Sequence, residues 1–129
     1  MKITLTNQES ENYFYNALCN GLHYISDYGL DLNYSKEDYT AAKERLKITP
    51  ETSVCYEDVL MEILRGGGKL ILTDNEGGED DAIITLKEVH ERVSNTQLNH
   101  LMNMINEEDD AITADVILQT VFLNDIVYG

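Results

Sequence analysis

The chain has 129 residues, 43% of them hydrophobic, and its 9 Lys and Arg against 24 Asp and Glu leave a formal net charge of −15. The hydrophobic content excludes a disordered acidic tail, which lacks the apolar surface that offsets ordering entropy, and the length predicts one domain over residues 1–129 around one core. The charge excludes direct binding of nucleic acid, which needs clustered cations to displace counterions from phosphates, and it repels anionic membranes.

Met1 to Thr6 alternates polar and apolar residues and predicts a short N-terminal strand. No apolar run of the signal-peptide kind follows it, and no window approaches the ~18 apolar residues that span a bilayer, so a cytoplasmic location is expected. Thr6 with Glu9 is a capping box and starts a helix at Asn7. Phe14, Ala17, Leu18, Leu22 and Ile25 form its buried stripe, Asn20-Gly21 threatens to interrupt it, and Gly29 ends it. Ser35 with Asp38 starts a second helix, with Tyr39, Ala42 and Leu46 facing inward until Thr49-Pro50. A third takes up Tyr56, Val59, Leu60, Ile63 and Leu64 and closes at Gly66-Gly67-Gly68.

The runs 69–73 and 82–85 are β-rich and flank a polar stretch, Asp74 to Asp81, which predicts a hairpin. Thr85 with Glu88 is another capping box, feeding a helix that carries Leu86, Val89 and Val93. Leu98, Leu101, Met102 and Ile105 mark the next helix. The last, from about Ala111 to Val127, is apolar around most of its circumference; such a helix is either central to the core or shared with a partner, and a homodimer through it is one expected assembly. The fold class is α+β, a small antiparallel sheet of the N-terminal strand plus the hairpin, packed with five to six helices.

Motifs that carry chemistry are wanting. Counted from Asp74, the sixth and twelfth positions of a calcium loop hold Glu79 and Thr85 where glycine and a bidentate glutamate are needed. Arg65-Gly66-Gly67-Gly68-Lys69 follows a helix and precedes a strand, the reverse of a P-loop. His23, His90 and His100 have no metal-ligand spacing, and Cys19 and Cys55 read as ordinary buried or cap-adjacent reduced thiols. The expectation is therefore no enzyme, no metal and no cofactor. Of 8 tyrosines, Tyr15 and Tyr34 are the better candidates for exposure.

Charge placement discriminates more. Residues 93–129 contain no Lys or Arg but hold Glu107, Glu108, Asp109, Asp110, Asp115 and Asp125, whereas Arg65, Lys69, Lys87 and Arg92 lie just before them. Carboxylates dense enough to stand where phosphates would sit steer toward basic partners. Asp74, Glu76, Glu79, Asp80 and Asp81, with Glu107, Glu108, Asp109 and Asp110, are the candidate partner-binding residues. The alternative is an anionic small ligand, a nucleotide-type signal, held by Arg65, Lys69, Lys87 and Arg92 with Tyr15 or Tyr34 stacking a base. A third reading is self-assembly through the last helix.

The segments 55–60 (Cys-Tyr-Glu-Asp-Val-Leu), 84–93 (Ile-Thr-Leu-Lys-Glu-Val-His-Glu-Arg-Val) and 99–122, from Asn99-His100-Leu101-Met102 to Gln119-Thr120-Val121-Phe122, resemble a family of small acidic proteins of Bacteroides-type gut bacteria and their phages. The similarity covers most of residues 55–129. That family implies no catalytic residues. It implies a gene on a phage or mobile element, where short acidic proteins inhibit host factors or defence systems, and so a partner that is a basic, nucleic-acid-binding or defence protein of the host.

Overall fold

Thr6 Oγ1 accepts from the Glu9 amide at 3.1 Å while the Glu9 carboxylate accepts from the Thr6 amide at 2.9 Å, so the first capping box forms and opens helix α1 (Asn7–Asp27). The computed structural model describes residues 3–47, 54–74 and 81–128. After α1 come β1 (Leu30–Asn33), α2 (Lys36–Arg45), α3 (Tyr56–Arg65), β2 (Leu70–Asp74), β3 (Ala82–Ile84), α4 (Leu86–Arg92), a 3-10 turn at Val93–Asn95, α5 (Leu98–Ile105) and α6 (Ala111–Leu123). The boundary expected at Thr49-Pro50 and the tip of the hairpin, 75–80, lie outside the described residues.

The sheet is antiparallel in the order β1-β2-β3, and its first strand is not the N-terminal one. Residues 3–6 make no strand, and the place goes to Leu30-Asp31-Leu32-Asn33, which pairs Leu30 with Asp74 and Leu32 with Leu72. The two segments alternate alike. The capping box at Thr6 turns the first into α1, leaving Ile3 and Leu5 to pack on the core from outside the sheet. β3 pairs Leu70 with Ile84 and Leu72 with Ala82, so that Leu30, Leu70, Leu72 and Ile84 are buried on one face.

Asn20-Gly21 does not interrupt α1. A Cβ built on Gly21 would stand 2.9 Å from Ala114 Cβ, so the missing side chain is what lets α1 lie against α6. α6 settles the ambiguity of its all-round apolar surface: every residue from Thr113 to Phe122 is buried within this chain. The apolar circumference therefore belongs to the core, and the expectation of a homodimer through it loses its basis. The helix also ends earlier than Val127, because Asn124 takes the left-handed conformation at φ 57°. Outward-facing exceptions to the expected stripes are Tyr56, Leu98 and Met102, while Met104 is buried in their place.

Among the buried polar side chains of α6, Asp115 and Gln119 enter the core with their partners. Gln119 is fully buried; its Nε2 donates to Asp115 Oδ1 and to the Tyr128 carbonyl, and its Oε1 accepts from the amides of Val127 and Tyr128 at 2.8 Å each. Asp115 accepts in addition from the Tyr28 hydroxyl. The tail after α6 is thus hydrogen-bonded back onto the helix.

Candidate functional site

α1 contains no Lys or Arg, and its outer strip exposes Asn12, Asn16, Cys19, Asn20, His23 and Asp27. Acidic residues flank that strip on both sides. On one side, Asn20 Nδ2 donates to Asp109 Oδ2 at 3.4 Å and brings the α5–α6 turn, Glu107 to Asp110, against the middle of the helix. On the other, the Tyr15 hydroxyl lies 3.4 Å from Cys55 Sγ at the N-cap of α3, where Glu57 and Asp58 follow. The result is one acidic face centred on residues 15–20, built from three elements remote in sequence.

Within the face, some carboxylates also hold structure. Asp110 is the N-cap of α6 and accepts from the Thr113 amide at 2.8 Å, a bond that lowers its pKa. Burial acts to raise the Asp58 pKa, but hydrogen bonds from Tyr15 and Cys55 outweigh it and hold the carboxyl below its ordinary value. Both groups therefore stay ionised into mild acid. Glu107 and Glu108 are exposed, and Glu107 sits at φ 58° where the turn reverses.

Of the other acidic residues expected at the working surface, Asp74 and Asp81 are exposed where the sheet opens toward its tip, and Asp74 pairs with Leu30 just beyond the end of α1. The 107–110 turn thus meets α1 at Asn20, while Asp74 pairs with β1. Glu76, Glu79 and Asp80 lie outside the described residues.

Three of the four cations expected to cradle an anion have partners within the protein. Arg65 Nε binds Glu11 at 2.9 Å, Arg92 Nη1 donates to the Val121 carbonyl at 2.8 Å, and Lys87 lies 3.9 Å from Glu91. With Arg45 on Glu62 at 2.8 Å, all three arginines, whose planar forks suit phosphate best, are held by the protein's own acceptors. Lys69 is exposed beside the glycine turn. Tyr15 and Tyr34 are half-buried, not exposed: Tyr15 is held by Cys55, and Tyr34 stacks on Tyr39 at 5.1 Å and accepts from the Tyr56 hydroxyl. A depression of about 290 Å³ beside Tyr56, walled by Leu22, Ile25, Leu30 and Leu32, presents Asp31 and no cation. Of the residues of the anion-binding alternative, Arg65, Lys87 and Arg92 are thus held by the protein's own acceptors.

Sequence reasoning missed Glu57, Asp58 and the two thiols as members of the face. The signals were present: Cys55-x-x-Asp58 is a capping-box spacing, and Tyr15 and Cys19 share one side of a helix at four residues' separation. Of the two thiols expected to be buried or cap-adjacent, Cys55 is the N-cap of α3, and both are exposed. Among the described residues no group of three or more His, Cys, Asp or Glu is arranged to hold a metal ion, and no helix is long and apolar enough to cross a membrane. No protein family matches the chain, and no curated protein and no solved structure is significantly similar to it.

Proposed function

We propose that the protein is a non-enzymatic binding protein whose acidic face, α1 with Glu57 and Asp58 on one side and Glu107 to Asp110 on the other, covers a basic surface of a host protein. The observation that carries this reading is the internal use of the cations: α1 contains no Lys or Arg, and all three arginines bind acceptors outside the 107–110 turn, on Glu62, Glu11 and the Val121 carbonyl. Such a surface raises association rates with basic partners and competes with nucleic acid for them. The resemblance to small acidic proteins of Bacteroides-type bacteria and their phages supplies the setting, a mobile-element product that inhibits a defence or nucleic-acid-binding protein of its host.

The test is capture of host proteins on the immobilised chain at rising salt, beside a Glu107→Lys/Glu108→Lys variant. The reading requires a basic partner that is lost as salt rises, is lost to the variant, and is displaced by duplex DNA. A partner retained unchanged by the variant at high salt, or no partner at all, overturns it.

A further inference from the structure

Gly29 takes φ 81° just past the end of α1 and turns the chain so that β1 folds against the last turns of that helix. Between the two elements lies the depression of about 290 Å³. Ile25 and Leu30, 2% and 7% exposed, are its apolar floor, and the half-buried Leu22 and Leu32 continue the apolar lining. Asp31 and Tyr56, both exposed, also line it. Strand alternation takes Asp31 out of the Leu30 and Leu32 face, which puts its carboxylate at the rim rather than on the floor. Among the described residues Asp31 makes no ion pair, and no Lys or Arg lines the hollow. The Tyr56 hydroxyl donates to the Tyr34 hydroxyl at 3.0 Å, which fixes the ring, and Tyr34 stacks on Tyr39. At the far end of this cluster Lys43 Nζ stands 5.3 Å over the Tyr39 ring. The tyrosines thus already hold one cation of the protein, while Tyr56 is open to solvent beside an apolar hollow with one carboxylate.

From this we infer that the hollow receives one arginine side chain of the basic partner, its methylene stem against Leu22, Leu32 and the floor, its guanidinium at the rim between the Tyr56 ring and the Asp31 carboxylate. The chemistry of the lining selects this occupant. A long basic side chain lays its stem on apolar surface and keeps its charged head at the water, and an aromatic face attracts a cation. A guanidinium, planar and weakly hydrated, stacks on such a face better than a compact ammonium does. An anion would meet Asp31 and no cation. The volume falls just short of the range of about 300–1,000 Å³ that drug-sized ligands fill, and it suits a single side chain. Glu57 follows Tyr56 in α3, so the hollow adjoins one flank of the acidic face, and an arginine seated there anchors a partner laid across that face. The inference rests on the proposed function for the source of the arginine and not for the hollow itself.

The test titrates the full chain with N-acetylarginine methylamide and with its uncharged citrulline counterpart, and follows backbone amide and tyrosine ring signals by NMR. The arginine derivative should give saturable shifts confined to residues 22–32 and Tyr56, and the citrulline derivative should give none. Asp31→Asn and Tyr56→Leu, both at exposed positions, should each weaken binding at least about threefold, with the dispersion of the other amides unchanged. The Glu107→Lys/Glu108→Lys variant should bind the derivative as wild type does, so loss of the partner through the acidic face and failure of the hollow read differently. No saturable binding, equal binding of the citrulline derivative, shifts scattered over the acidic surface, or unchanged binding by both hollow variants overturns the proposal.

Discussion

The Tyr28 hydroxyl donates to Asp115 Oδ2 at 2.7 Å, and the Tyr28 ring stacks on Tyr128 with centroids 4.6 Å apart and planes 10° from parallel. One side chain at the end of α1 thereby binds both the most deeply placed carboxylate of α6 and the chain terminus that returns over it. Asp115 is only 8% exposed, so its charge depends on donors from the protein, and Tyr28 and Gln119 supply them.

Tyr28→Phe removes the hydroxyl and leaves Asp115 short of a donor, which should cost about 1–3 kcal/mol in urea unfolding at neutral pH. Burial, then the Asp115 carboxylate, pushes the Tyr28 phenol from 10.0 up to about 12. A group with a raised pKa contributes its stability in full below the unfolded value and loses it as pH climbs through the folded one. Wild type should therefore lose stability between 10.0 and about 12, and the variant should show a shallower alkaline slope. A variant as stable as wild type, with the same slope, would contradict this.

Gln119→Leu strips both acceptor and donor from the C-terminal segment. The amides of Val127 and Tyr128 lose the oxygen they share, and hydrogen exchange at these two positions should accelerate to the rate of an unprotected chain. The buried Asp115 loses a donor as well, so the global cost should be about 2–3 kcal/mol, read from the urea midpoint.

Glu11 joins three helices: its two oxygens bind Arg65 Nε at 2.9 Å and His90 Nε2 at 2.8 Å. Burial opposes its ionisation, but Arg65 and then His90 outweigh it, so the pKa lies below 4.5. The stability this carboxylate contributes is present above 4.5 and is lost as pH falls through the lowered value. Glu11→Gln should flatten the acid limb of a stability profile and cost about 1 kcal/mol at neutral pH, a figure held down by the exposure of Arg65. An unchanged acid limb would show that the pair is neutralised by solvent.

Gly21→Ala tests the α1–α6 contact. Alanine should gain about 1 kcal/mol of helix propensity over glycine. Its Cβ, however, would stand 2.9 Å from Ala114 Cβ and 3.1 Å from the α6 backbone, and overpacking of that kind costs about 1–3 kcal/mol. Net destabilisation is expected, with partial rescue by Ala114→Gly. A more stable single variant would mean that the helices separate at little cost.

What the chain determines by itself is local. Capping boxes at Thr6 and Thr85, the serine cap at Ser35, the glycine stop after α3, the hairpin strands and the α+β class all follow from neighbours within four residues, where backbone geometry and side-chain reach suffice. The tertiary structure decided everything that needed a choice between equal local signals. Ile3-Thr4-Leu5 and Leu30-Asp31-Leu32 alternate alike, and only the pairing with β2 selected the second. An all-round apolar α6 suits a core or an interface equally, and only its burial under α1 made it core. Sign and spacing located the 107–110 cluster, but not its contact with Asn20 or the contact of Tyr15 with Cys55 that brings up the acidic flank at α3. Those contacts join residues 40 or more positions apart for Tyr15 with Cys55 and 89 for Asn20 with Asp109, distances over which no periodicity or capping rule carries information and only packing brings side chains together.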